Sequence, residues 1–155
     1  MTLTSGDLAP HFSLPDAQGN PISLSQFSGQ RVILYFYPRD DTPGCTKEAQ
    51  GFRDAYAEYQ SRNIVILGVS TDNEQSHTKF VNKHQLPFPL LCDRDAAVAK
   101  AYDSYGLKKF MGKEYEGIYR KTFVIDAAGK IEKIYAKVKP DGHAMQILTD
   151  LSADL

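Results

Sequence analysis

The chain has 155 residues, 42% of them hydrophobic, and a formal net charge of −1, enough for one domain over 1–155 that buries roughly 70% of its unfolded surface. A near-neutral balance without a basic run argues against nucleic acid or an anionic membrane as partner. Two cysteines, no apolar N-terminal segment and no run of membrane-spanning length lead us to expect a soluble cytoplasmic protein with reduced thiols; an organelle protein that had lost a transit segment would read the same way.

In chain order, an N-terminal arm holds a turn at Ala17-Gln18-Gly19-Asn20. The run Arg31-Val32-Ile33-Leu34-Tyr35-Phe36-Tyr37 is apolar after its first residue and reads as a buried strand stopped by Pro38. Thr42 suits a helix N-cap and Pro43 the first helical position, where a missing N–H costs nothing. Gly44 and Cys45 are then second and third in the helix, which places the thiol at the positive end of the dipole, where cysteines are held as reactive thiolates. At about 100° per residue, Ala49, Phe52, Tyr56 and Tyr59 share one stripe with Cys45 near its middle. Glu48 lies beside that stripe, and Gln50 points away from it.

Ile64 to Val69 reads as a second buried strand, completing a parallel βαβ unit. A helix near Asn73 to His84, a short strand at Phe88 to Cys92 and a helix near Asp95 to Tyr102 follow. Strands at Thr122 to Ile125 and Ile131 to Val138 flank Asp126-Ala127-Ala128-Gly129-Lys130, whose length and glycine suit a hairpin. A last helix begins near Asp141 or Gly142. This order predicts a thioredoxin-like α/β fold: a mixed central sheet, helices on both faces and an N-terminal extension.

The segment YFYPRDDTPGCTKEA resembles the active-site signature of the peroxiredoxins, in the bacterioferritin comigratory protein or peroxiredoxin Q branch, with its Pro-xxx-Thr-xx-Cys pattern. The likeness continues in Gly6 to Leu14, Leu86 to Leu91 and Gly117 to Asp126, four blocks in the same order. It implies that Cys45 attacks a peroxide, that Thr42 orients the peroxide oxygens and that Arg120, from a later strand, stabilises thiolate and transition state. It also implies that Pro43 shields the thiol and that Glu48 holds the arginine; Pro38 and Gly44 complete the supporting set. The chemistry fits those residue types: thiolate attack on an O–O bond puts negative charge on the departing oxygen, where the planar fork of an arginine lowers the barrier. No cofactor and no metal are expected.

Many members of that branch carry a second, resolving cysteine five residues after the first, where this chain has Gln50. The other cysteine, Cys92, ends the apolar run Phe88-Pro89-Leu90-Leu91 and reads first as a small buried hydrophobe, with resolution of Cys45 as the alternative. The expected partners are a peroxide and an external thiol reductant, whether thioredoxin, glutaredoxin or a small thiol, acting on a monomer or weak dimer. Two other functions compete with the peroxidase: a disulfide exchanger, which would want C-x-x-C where this chain has Cys45-Thr46-Lys47-Glu48, and a peroxide sensor that relays oxidation to a partner protein.

Other polar residues are read plainly. His77 and His84 lie among Asn73, Glu74, Gln75, Lys79 and Lys83 and are expected on a solvated face. His11 and His143 lack partners at metal-ligand spacing. Asp40 and Asp41 are expected to interact with the helix dipole. Phe110 and Met111, amid Lys108, Lys109, Lys113, Glu114 and Glu116, either form an exposed patch or lie under the loop.

Overall fold

The computed structural model describes residues 2–152. Strand β1 (Ser13–Pro15) and strand β2 (Pro21–Ser23) form a small antiparallel hairpin around the expected turn, followed by a 3-10 turn at Leu24–Phe27. Then come β3 (Arg31–Phe36), α1 (Pro43–Asp54), α2 (Tyr56–Ser61), β4 (Ile64–Ser70), α3 (Glu74–His84), β5 (Leu90–Cys92) and α4 (Ala97–Ala101). The chain ends with β6 (Tyr105–Phe110), β7 (Lys113–Ile118), β8 (Lys121–Ile125), β9 (Ile131–Tyr135) and α5 (His143–Ser152).

Five strands form the central sheet in the order β5-β4-β3-β8-β9. The first three run parallel, and β8 and β9 run antiparallel to their neighbours. Period-two alternation divides β3 between two cores. Ile33, Tyr35 and Tyr37 face Cys45, Ala49 and Phe52 of α1, Tyr59 of α2, Phe80 of α3 and Ile147 and Leu148 of α5. Val32, Leu34 and Phe36 face Phe12, Ala99 of α4, Tyr102 and Phe123. With both faces covered, β3 has no polar side to show, which is why it reads as a continuous apolar run.

The expected elements are present, with three differences. The helix carrying Cys45 breaks at Ala55, so Phe52 and Tyr59 share the core from two helices rather than one. The strand expected to reach Val138 ends at Tyr135. Residues 105–118, left without an element, form a hairpin whose two-residue turn places Met111 and Gly112 at φ 52° and 79°. Its side chains are mostly solvated on both faces, so the hydrophobic alternation that marks a strand is missing there.

Candidate active site

Pro38 ends the sheet pairing of β3, and the turn 38–42 leads into α1 with Thr42 at the N-cap position in extended backbone and Pro43 as the first helical residue. The Thr42 hydroxyl does not cap the helix. It donates to the Arg39 carbonyl at 2.9 Å, so the first turn keeps its positive end free of a side-chain acceptor from Thr42. Cys45 lies in that turn with only 1% of its surface exposed.

Arg120 reaches the same point from the sheet. It stands in the short link between β7 and β8, and the register that pairs Lys121 with Phe36 brings Arg120 to the end of β3 where the active turn begins. One guanidinium nitrogen, Nη1, donates to Glu48 Oε1 at 2.6 Å, and the other, Nη2, donates to Cys45 Sγ at 3.2 Å. The close approach depends on Gly44: a Cβ there would lie 3.2 Å from Arg120 Nη2 and 3.5 Å from Pro140.

Burial sets the electrostatics. Desolvation lifts the Glu48 carboxyl to about 7 against the opposing pull of Arg120. At Arg120 desolvation favours the neutral form, but the charges of Glu48 and Cys45 outweigh it and raise its pKa further. The arginine therefore stays charged, and Glu48 is the partner that takes up a proton. Glu48 Oε2 is buried without a hydrogen bond, as is the Tyr35 hydroxyl. Below the site, His143 at the start of α5 shares a 2.8 Å hydrogen bond with Thr122 and lies edge-on to Phe52. Burial, and then the Arg120 charge, lower its pKa, leaving it neutral at physiological pH.

The structure thus brings Cys45, Thr42, Pro43, Gly44, Glu48 and Arg120 to one place. Cys92 is elsewhere: it ends β5, two strands from β3, 2% exposed, with its sulfur facing the Asp16 carbonyl. Burial first and then the Glu74 carboxylate push its thiol up to about 12. Both cysteines are free thiols. Gln50 leans toward α3, its amide 3.4 Å from His84 Nδ1.

Two plain readings of polar residues are corrected here. His77 is fully buried rather than solvated, because it shares the face of α3 that presents Phe80 to the core. Asp40 binds Tyr37, Ser76 and His77 instead of serving the helix dipole, and Asp41 pairs with Lys83. The i, i+3 spacing from His77 to Phe80 was the available signal, masked by charged neighbours. On the hairpin β6–β7, Leu107, Phe110, Met111 and Tyr115 are exposed. Lys108 there has its pKa lowered by burial and by the Arg120 charge, which places the hairpin beside the site.

The description of the AhpC/TSA family matches residues 5–134. Peroxiredoxin Bcp of Bacillus subtilis is 46% identical over 155 residues, spanning 98% of this chain and 99% of that protein. The chain is a peroxiredoxin of the AhpC/TSA family. Peroxiredoxin Bcp of Escherichia coli K12 is likewise 46% identical, over 91% of this chain and 90% of its own. Among solved structures, a Cys-to-Ser mutant of Xylella fastidiosa PrxQ superposes with TM-score 0.93 at 34% identity, covering 99% of this peroxiredoxin and 98% of that chain. The bacterioferritin comigratory protein of Xanthomonas campestris, described there by its alkyl peroxide reduction activity, superposes with TM-score 0.87 at 36% identity, covering 92% of this chain and 91% of its own. The thioredoxin-like sheet with helices on both faces is the fold these peroxiredoxins share. No helix among the described residues is long and apolar enough to cross a membrane.

Proposed function

We propose that this peroxiredoxin is a single domain that reduces hydrogen peroxide and organic hydroperoxides with Cys45 as its one working cysteine. The observation that carries the reading is the Arg120 guanidinium, divided between Cys45 Sγ and Glu48. Beside that charge and the helix start, the Cys45 thiolate attacks the terminal peroxide oxygen: an S–O bond forms as the O–O bond breaks. The departing oxygen takes up a proton and leaves as water or an alcohol, its developing charge met by Arg120. Thr42 sits at the mouth of the first turn, where its hydroxyl orients the incoming peroxide. Glu48 fixes the plane of the guanidinium, and Pro43 covers the thiol.

Cys45 is left as a sulfenic acid. An external thiol attacks its sulfur and releases water; a second thiol then frees Cys45 and departs in a disulfide. Thioredoxin, glutaredoxin or a small thiol fits this role, acting on a monomer or weak dimer. Gln50 offers no thiol for an internal disulfide, and the Cys92 thiol is buried, protonated and occupied by other partners. Non-reducing intact-mass spectra after one equivalent of peroxide test this. We expect a gain of one oxygen on Cys45, trapped by a dimedone-type reagent. A loss of two hydrogens that disappears in Cys92→Ser would make Cys92 a resolving cysteine and overturn the one-cysteine cycle.

A further inference from the structure

The turn that carries Thr42 into α1 is held from behind by groups the reaction does not touch. Asp40 is its anchor. One carboxylate oxygen accepts from the Tyr37 hydroxyl at 2.6 Å; the other accepts from Ser76 Oγ at 2.8 Å and lies 2.7 Å from His77 Nδ1. The Asp40 backbone N–H donates to Asp72 at 2.8 Å, and Asp72 also accepts from Ser70 at 2.7 Å. His77 Nε2 lies 2.9 Å from the Leu91 carbonyl, which can only accept. With donors already converging on both Asp40 oxygens, the arrangement that satisfies every atom is a carboxylate facing an imidazolium.

Asp40, Asp72 and His77 bring one ligand atom each within 4.8 Å of one another, a spacing that invites a cation. Each of those atoms is already spent, however, on Asp40 N–H, Ser70, Ser76, His77 or Asp40 itself. The cluster is a hydrogen-bond clamp. What it clamps is under conformational tension: the next residue, Asp41, has φ 60°, and Lys83 of α3 pins its carboxylate at 2.9 Å. Backbone in this region persists where the surroundings over-determine it. Helix α3 therefore fixes the turn through Ser76, His77 and Lys83, and the turn fixes Thr42 and the first turn of α1.

We propose that His77 and Asp40 are positioning residues for the peroxidatic turn, holding Thr42 and the start of α1 in register with Arg120. The groups facing His77 are Asp40 from the turn, Tyr37 just after β3, Asp72 from the loop after β4 and the Leu91 carbonyl from β5. Desolvation opposes the imidazolium, but Asp40 outweighs it and raises the His77 pKa above its ordinary value. The clamp is complete while His77 is charged and loosens as pH rises through that raised value.

The test is the single-turnover rate of Cys45 oxidation by hydrogen peroxide, followed against pH in wild type, His77→Gln, Asp40→Asn and Ser76→Ala, with thermal melting of each. It rests on the peroxidase reading, so the rate of Cys45 alkylation by iodoacetamide, located by peptide mass, is measured alongside to read the turn without peroxide. We expect wild type to lose rate as pH rises through the His77 pKa, and His77→Gln and Asp40→Asn to slow oxidation ~10-fold or more, the scale at which misplacements of up to about 1 Å act, and to lack that alkaline decline. Ser76→Ala, which removes one contact, should show a smaller loss in the same direction. Variants that melt earlier yet keep the wild-type rate, pH profile and alkylation rate would overturn the proposal. If His77→Gln fails to fold, Asp40→Asn and Ser76→Ala decide, and normal rates in both would overturn it. An unreactive wild type would refute the peroxidase reading, while the alkylation rates would still judge the clamp.

Discussion

At Arg120 one guanidinium nitrogen serves Glu48 and the other serves Cys45, a division that an ammonium, being a point charge, cannot copy. Arg120→Lys should therefore slow peroxide reduction by roughly 10²–10³, the cost of deleting one preorganised donor from a developing oxyanion, with little change in melting temperature. Stopped-flow oxidation of Cys45 measures it, and a near-normal rate would reduce Arg120 to a structural role. The hydroxyl of Thr42 makes a separable contribution. Because it donates to Arg39 within its own turn rather than capping α1, Thr42→Val should cost stability well under the ~1 kcal/mol typical of a lost cap. Its activity should fall much further than that of Thr42→Ser. Equal rates in the two variants would remove the hydroxyl from the chemistry.

Strand β3 joins the two cores to the site, and its packing leaves one group unserved. The Tyr35 ring stacks on Phe52 at 4.8 Å, while its hydroxyl is buried without a partner and crowds Gly68, where a Cβ would lie 2.9 Å from it. Tyr35→Phe should keep the ring contacts and raise stability by about 1–2 kcal/mol, the cost of an unsatisfied buried polar group; chemical denaturation would register it as a later midpoint. Gly68→Ala should do the reverse by overpacking against Tyr35 and Leu90. Elements of this kind were legible in the sequence where burial is two-sided or where a helix start is spelled out: β3 and β4 announce themselves through apolar runs, and α1 through Pro43 at its first position after Thr42, although the Thr42 hydroxyl turns to Arg39 instead of capping it. The hairpin β6–β7 did not, since both its faces meet water. His77 was misread because polar neighbours in sequence are not neighbours in space; α3 turns Phe80 and His77 inward and its lysines outward. The partnership of Arg120 with Glu48 came from resemblance, as no local pattern connects residues 72 positions apart.

Over the whole molecule, buried titratable groups pull stability in opposite directions with pH. The Glu48 pKa, raised to about 7, means the folded state binds more protons than the unfolded one between roughly the ordinary carboxylate value and 7, so this group's contribution falls as pH rises through that window. The lowered pKa of His143 acts the other way: the unfolded chain binds the extra proton, and stability falls as pH drops below the ordinary histidine value. Glu48→Gln should remove the first effect and keep the second. Relative to wild type, the variant should gain stability from pH 5 to pH 8, by at most about 3 kcal/mol if the whole shift is expressed. Urea unfolding at several pH values measures the difference, and a constant offset would show that Glu48 is ionised throughout. The molecule also carries a thioether in plain view of its substrate. Met111, at the tip of the β6–β7 hairpin, is 87% exposed, and no helix start or arginine accelerates its oxidation, so it meets peroxide only at the unassisted rate. With Cys45 the faster nucleophile, we expect the tip to stay apolar for as long as the thiol is renewed. Met111 should then be found as the sulfoxide only after peroxide has outrun renewal of the thiol, so peptide mass spectra after graded peroxide should read the protein's past exposure from that tip, and sulfoxide formed before Cys45 is spent would erase such a record.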